Sequence, residues 1–215
     1  MDEKNFDAKE MAVKFVNKFQ YNSPVILTFA VASFVVLVLS ALTRGSSDEL
    51  LFSIYRTRFT DPMFYIRLLG HTLGHVSFEH YINNFLIIML VGPVVEEKYG
   101  WKKLLIMIVL TSVIIGLLHA AVSNRAALMG ASGVAFMFII LNSYVSLKAG
   151  KIPVTLVLCI VLFLGREIAN QVTLGDRGIS HLSHIIGGLC GAFFGFFMNK
   201  DKLLKTEPTE GEVEN

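Results

Sequence analysis

A chain of 215 residues with 53% hydrophobic and only 17% charged residues is too apolar for a soluble domain of this size. The net charge of +2, with no basic patch interleaved with aromatics, gives no support for nucleic-acid binding. The composition instead indicates a multi-pass membrane protein.

Six stretches are long and apolar enough to count as membrane spans, each near the ~20 residues that cross about 30 Å of hydrocarbon. The sequence therefore predicts an all-α bundle of six transmembrane helices, which forms a membrane domain over residues 24–198. An N-terminal segment, 1–23, and a C-terminal tail, 199–215, flank it. Numbered in chain order, the spans lie at 24–43, 80–99, 103–123, 132–148, 152–169 and 180–198.

The lysines predict the orientation of the bundle. All of them fall in the N-terminal segment, in the turns at 98–103 and 148–151, and in the C-terminal tail. By the positive-inside rule these parts are cytoplasmic, so both termini are expected in the cytoplasm. Span 1 is too long for a cleaved signal peptide and lacks a small-residue cleavage site, so we expect it to be retained. The lack of any extra domain favours a bacterial plasma membrane.

The connection between spans 1 and 2, residues 44–79, is long for a tight bundle. Its apolar clusters Leu50-Leu51-Phe52 and Pro62-Met63-Phe64-Tyr65-Ile66 are too short to cross a membrane. We expect short helices that lie in the outer membrane interface. A loop of this length in an otherwise compact bundle is usually functional.

Polar residues begin three of the spans at the same predicted depth. Spans 2, 4 and 6 all run from the outer side inward. Span 2 begins at His80 with Asn84 one turn below, span 4 begins at Ser132, and span 6 carries His184 in its second turn. These side chains are therefore expected to converge one or two turns, roughly 5–10 Å, below the outer surface. Polar groups in a bilayer are costly and usually face the bundle interior.

Ser132 lies in the sequence Gly130-Ala131-Ser132-Gly133, at the start of a helix. There, unpaired backbone N–H groups and the positive end of the helix dipole can stabilise an oxyanion. The motif alone more often means small residues for close helix packing than a nucleophile.

His184, Gly187 and Gly191 share one face of span 6, at positions i, i+3 and i+7. The glycines allow a neighbouring helix to approach closely. If that neighbour is span 4, His184 comes within reach of Ser132 and can take its proton as a general base. The alternative is a histidine that only makes a hydrogen bond between helices.

His80 and Asn84, at i and i+4, share a face of span 2, and both can donate hydrogen bonds to a developing oxyanion. Their simpler interpretation is a polar contact between helices. A zinc site is the less favoured alternative, because the usual His-Glu-x-x-His spacing is absent, so we predict neither metal nor cofactor. Its ligands would be His71 and His75 together with His80, His181 or Glu79.

Together these motifs resemble the rhomboid intramembrane serine proteases, in matching order and spacing over nearly the whole chain. The resemblance implies that Ser132 is the nucleophile and that His184 is the general base and acid. It also implies that His80 and Asn84 complete an oxyanion hole with the backbone N–H of the serine. His75 matches a further histidine of that motif, with a structural or water-holding role.

The resemblance assigns structural or packing roles to a further set of residues near the site. Three positions depart from the family pattern: Ile66 stands where many members have Trp, Phe136 where many have Tyr, and His181 where a small or amide residue is common. Phe136 can still stack on the catalytic ring. The structural set is Gly130, Gly133, Phe136, Gly187, Gly191, Arg67 and Glu96.

The implied activity is that of a serine endopeptidase that cuts transmembrane segments of other membrane proteins near the outer face, using a Ser-His dyad within the lipid bilayer. No acidic third member is needed, because packing can orient the ring. By family analogy span 5, the loop near Gly175 and the connection 44–79 are expected to move as a gate. The alternative is a catalytically inactive rhomboid-like binder of transmembrane helices, although such proteins typically lack the serine or the histidine. A small transporter is disfavoured because no inverted repeat is evident.

Overall fold

The fold is that of a computed structural model of the chain. Parts of span 5, the loop near Gly175, and most of the N-terminal segment and C-terminal tail lie outside the residues that the structure describes. The described residues are 11, 13–15, 17–18, 21–123, 126–145, 147–148, 151–158, 160–162, 165 and 179–204.

The described residues form helices, joined by one isolated antiparallel β-bridge between Ile54 and Leu128. A short π-helix covers Asp48–Phe52, and residues 154–158 and 160–162 are also helical. The remaining helices are α1 Pro24–Leu42, α2 Pro62–Gly70, α3 Phe78–Tyr99, α4 Trp101–Val122, α5 Ser132–Ser143 and α6 Ile179–Leu204.

Within the described part of the chain, four helices, α1, α3, α4 and α6, are long and apolar enough to cross a membrane. They correspond to predicted spans 1, 2, 3 and 6. Large apolar side chains cover their outer faces, as at Leu42 and Leu90, which are 78% and 77% exposed. Such a surface is stable only against lipid, so the chain is an integral membrane protein built from helices.

Helix α5 is shorter than the sequence predicts. Span 4 is expected to run to residue 148, but the helix ends at Ser143 and has 12 residues. At 1.5 Å per residue it is about 18 Å long, well short of the roughly 30 Å of hydrocarbon. The Lys98 side chain donates to the carbonyl groups of Tyr144 and Val145. A cation thus satisfies carbonyl groups beyond the end of the helix. The described residues that follow within span 4, 144–145 and 147–148, are not helical.

The short α5 lies in the centre of the bundle, where Val134, Phe138 and Leu141 are fully buried. It packs against α3, α4 and α6. Helix α6 continues past residue 198 to Leu204, because Asn199 is buried and donates to the Tyr99 hydroxyl and the Gly195 carbonyl. The division into a membrane domain and flanking segments stays a prediction.

Helix α1 is fixed to α3 at its N-terminal end. The buried Glu96 carboxylate accepts hydrogen bonds from the backbone N–H groups of Val25 and Ile26, both at 3.1 Å. These N–H groups have no partner within the helix, and a negative charge at a helix N-terminus is favourable. One helical turn further along α1, the Tyr81 hydroxyl donates to the carbonyl of Ala30.

The connection 44–79 folds on itself. Asp61 caps α2 by accepting from the backbone N–H of Met63. The buried Arg67 donates to Asp61 and to the Leu50 carbonyl, and its guanidinium lies 4.6 Å from the centre of the Tyr55 ring. These contacts join α2 to the π-helix. The location of this segment in the membrane interface stays a prediction.

Candidate active site

Helices α5 and α6 meet through glycines. A Cβ atom added to Gly187 would overlap the Gly133 carbonyl oxygen and lie 2.7 Å from its carbon. One added to Gly191 would lie 2.5 Å from the Met137 carbonyl oxygen. The two backbones are therefore in direct contact, which only residues without a side chain allow. The neighbour of the glycine face on α6 is the helix that begins with Ser132.

Phe136 connects this contact to His184. The two ring centres are 4.5 Å apart, with planes inclined by 42°. Phe136 is four residues after Ser132, so both side chains project from one face of α5. The imidazole of His184 thus lies over the face that carries the serine. Both Ser132 and His184 are half-buried. His181 stands edge-on to His184, with ring centres 6.1 Å apart.

His80 and Asn84 of α3 lie against the backbone just before Ser132. A Cβ atom on Gly130 would be 2.7 Å from His80 Cε1 and 3.6 Å from Asn84 Nδ2. Gly130 also has φ of +132°, a conformation that other residues rarely adopt. Asn84 Nδ2 is buried and makes no hydrogen bond within the part of the chain that the structure describes. A buried N–H donor therefore stands beside the start of the serine helix.

The backbone N–H groups before Ser132 are held by the segment that precedes α3. Gly130 N–H donates to the His71 carbonyl at 2.8 Å, and Ala131 N–H donates to His75 Nε2 at 3.3 Å. His75 Nδ1 lies 3.1 Å from the Leu73 carbonyl, so the proton of a neutral ring is on Nδ1. Burial lowers the pKa of His75 to about 4, which keeps the ring neutral and Nε2 an acceptor at ordinary pH.

Further contacts satisfy the non-helical backbone that leads to α5. Leu128 pairs with Ile54 through two backbone hydrogen bonds of 2.9 Å, and His119 Nε2 lies 2.8 Å from the Ala126 carbonyl. Irregular backbone at membrane depth is tolerated only when such partners are provided. The sequence contains no signal for the Ile54–Leu128 pairing or for the His71 carbonyl contact, because both are made by backbone atoms.

Two of the predicted structural residues lie away from the site. Glu96 is twelve residues after Asn84 on α3, about 18 Å along the axis, at the N-terminus of α1. Arg67 is in the folded connection between α1 and α3. Their contacts hold the scaffold together and do not reach Ser132.

Two of the histidines considered as zinc ligands, His71 and His75, have other partners. His71 Nε2 lies 3.0 Å from the Ser112 carbonyl, and both ring nitrogens of His75 are engaged. Among the described residues, no three His, Cys, Asp or Glu side chains stand close enough to hold a metal ion.

The fold and the site define a multi-pass helical membrane protein whose serine begins a short central helix beside a histidine of a neighbouring span. Residues 63–201 match the Rhomboid domain. The chain is also 24% identical over 178 residues to the rhomboid protease GlpG of Haemophilus influenzae, an alignment that covers 81% of this chain and 91% of GlpG. The chain belongs to the rhomboid family.

Proposed function

We propose that this protein is an intramembrane serine endopeptidase that uses Ser132 and His184. The observation that carries the proposal is the backbone contact between Gly187 and Gly133, together with the ring of Phe136 against that of His184. Both contacts bring the imidazole to the face of α5 that bears the serine. The similarity to a rhomboid protease supports the same activity.

In the first step Ser132 Oγ attacks the carbonyl carbon of a peptide bond while the His184 imidazole takes its proton. The resulting imidazolium then protonates the leaving amine, which leaves an acyl-enzyme. Water, deprotonated by the same imidazole, releases the new carboxylate and regenerates the serine. The tilted ring contact with Phe136 and the packing of α6 orient the imidazole, a role that an aspartate has in soluble triads.

Three donors are positioned to stabilise the oxyanion. The first is the backbone N–H of Ser132, at the positive end of the α5 dipole. The others are the amide of Asn84 and the imidazole of His80, which both lie against Gly130. Because Asn84 Nδ2 has no acceptor among the described residues, it can meet the developing charge without first breaking a hydrogen bond. His75 is a positioning residue, because it holds Ala131 N–H.

The substrates we propose are single transmembrane segments cut near the outer membrane face. A peptide bond within a helix has its backbone groups paired, so the segment must unwind before attack. Weak helix formers such as Gly or Pro near the cut should therefore favour cleavage. Replacing them with a continuous Leu/Ala helix should slow it, and an unchanged rate would count against this view of the substrate.

We also propose that both termini are cytoplasmic and that the site opens toward the opposite side, in a bacterial plasma membrane. The lysines at the α3–α4 turn, Lys98, Lys102 and Lys103, support this orientation. A reporter that is active only outside the cytoplasm should therefore be inactive when it is fused at Asn215. Activity of that fusion would contradict the proposed orientation.

The experiment is cleavage of a labelled transmembrane substrate by the purified protein in liposomes. We expect wild-type protein to cut it and both Ser132→Ala and His184→Ala to abolish cleavage. Arg58→Ala, an exposed change in the connection before α2, is the matched control and should keep the activity. Substrate that is bound but uncut by the wild type would favour the inactive binder instead.

A further inference from the structure

A two-part cleft lies at the end of the bundle formed by the α3–α4 turn and the N-terminus of α1. Its apolar part, of about 460 Å³, runs between one face of α1 and one face of α4. Thr28, Phe29 and Ala32 line the α1 side, and Leu105 and Ile108 line the α4 side. Phe29 and Ile108 form a buried floor, 8% and 7% exposed, while Leu105 stands at the open edge.

A second, more polar cavity of about 620 Å³ continues from the first. Pro24 and Trp101 line both, so the two are continuous. Tyr21, Asn22 and Glu97 are among the residues that line the polar part. The cleft is thus apolar between α1 and α4, and polar beside the N-termini of these two helices, where Gly100 also lines it.

The position of Trp101 relates this polarity to the membrane. It is the first residue of α4, beside the lysine-bearing turn, and its side chain is 53% exposed. Tryptophan is enriched at membrane–water boundaries. The apolar part therefore lies at the depth of acyl chains and the polar part at the depth of headgroups. Both volumes fall within the range of about 300–1,000 Å³ that is usual for ligand sites.

The charges around the polar part indicate the headgroup. Both carboxylate oxygens of Glu96 are occupied by α1, whereas the exposed Glu97 forms no ion pair among the described residues. The Lys102 ammonium lies 5.4 Å from the centre of the ring of Trp101, which lines both parts of the cleft. A carboxylate in the lining and a cation against Trp101 complement a headgroup with an ammonium and a phosphate. A headgroup with negative charge alone would leave Glu97 without a positive partner.

We propose that the cleft between α1 and α4 binds one zwitterionic, ammonium-bearing glycerophospholipid, with an acyl chain between the helices, its phosphate near Lys102 and its ammonium at Glu97. The bound lipid bridges α1 to α4 at the end of the bundle where α1 is otherwise fixed by Glu96. The site is distant from Ser132 and does not depend on the proposed protease activity.

Native mass spectrometry of the full-length protein in non-ionic detergent tests the proposal, with phosphatidylethanolamine or phosphatidylglycerol added in titration. We expect a single phosphatidylethanolamine to be retained under activation that removes phosphatidylglycerol. Ala32→Phe fills the apolar part and should abolish this retention. Val31→Phe, at the adjacent and 63% exposed position outside the cleft, should not.

The headgroup contact has its own variants, which decide the matter even if Ala32→Phe does not fold. Glu97→Gln should weaken phosphatidylethanolamine binding about tenfold, as expected for the loss of one charge-assisted hydrogen bond, and leave phosphatidylglycerol unchanged. The matched control is Asp201→Asn, exposed near the end of α6. Equal retention of both lipids, or equal loss in Glu97→Gln and Asp201→Asn, would show only unspecific annular lipid. If the wild-type protein is instead a dimer without bound lipid, and Ala32→Phe is a monomer, the cleft binds a second copy of this chain and the proposal is wrong.

Discussion

Gly187→Ala is the substitution that tests most sharply how α5 and α6 position the dyad. The added Cβ would lie 2.7 Å from the Gly133 carbonyl carbon and 3.0 Å from its Cα, and closer still to the oxygen. These are backbone atoms, which cannot rotate away as a side chain can. Ordinary contact begins at 3.4 Å, so the helices must separate by at least about 0.7 Å, as 3.4 minus 2.7.

A separation of this size moves His184 relative to Ser132. Misplacement of catalytic groups by about 1 Å costs on the order of a hundredfold in rate. We therefore expect Gly187→Ala to lower kcat between tenfold and a hundredfold, with little effect on KM. The assay is cleavage of a transmembrane substrate in liposomes, with thermal unfolding measured in parallel.

Gly165→Ala is the matched control, because a Cβ atom there meets none of the described residues within 4 Å. It should keep the wild-type rate. If Gly187→Ala is as active as Gly165→Ala, the close approach of α5 and α6 does not set the geometry of the dyad. Gly133→Ala should be milder than Gly187→Ala, since its closest neighbour is the flexible end of the Ile115 side chain.

Three further outcomes follow from the contacts of His75, Glu96 and Phe136. Burial lowers the pKa of His75 from 6.5 to about 4, so between these pH values the unfolded chain takes up a proton that the folded chain does not. The His75 ring should therefore contribute a fall of about 3 kcal/mol in the free energy of unfolding from pH 6.5 to 4, and the total fall should be less steep in His75→Gln, which keeps an acceptor without titrating. Glu96→Gln should lower stability by about 1–3 kcal/mol in lipid-free detergent, because one N–H at the start of α1 loses its acceptor, whereas the exposed Glu97→Gln should not. Phe136→Leu should lower kcat about three- to tenfold by removing the ring beside His184, and Phe136→Tyr should preserve it.

Each of these expectations has a contrary result. If the free energy of unfolding depends on acid pH identically in wild type and His75→Gln, the fold does not keep the His75 ring neutral. Equal stability of Glu96→Gln and Glu97→Gln would show that the Glu96 carboxylate does not stabilise the N-terminus of α1. A Leu variant as active as the Tyr variant at position 136 would show that an aromatic ring is not needed there.

The sequence predicts the long spans well because hydropathy reports directly on contact with lipid. Span 1 is predicted at 24–43 and α1 covers Pro24–Leu42. Span 4 is predicted too long, because the apolar run beyond Ser143 looks the same whether or not it is helical. Its end coincides with the Lys98 contacts to two carbonyls, and a lysine on another helix cannot be matched to them from sequence alone.

The candidate site is predictable where its residues have a fixed spacing on one helix. His80 with Asn84, and His184 with Gly187 and Gly191, are of this kind. The hydrogen-bond partners of the backbone before Ser132 cannot be predicted in this way. His71 contributes its backbone carbonyl, a group that every residue has, so the sequence does not mark it. Which glycine meets which backbone likewise depends on how the helices pack.

The most direct test of the central claim is covalent labelling of the protein by a fluorophosphonate in liposomes, with the modified residue located by peptide mass spectrometry. Ser132 activated by His184 predicts a single adduct on Ser132 that is lost in His184→Ala and kept in Gly165→Ala. An adduct on another serine, or labelling of Ser132 that is equally fast without His184, would contradict the dyad.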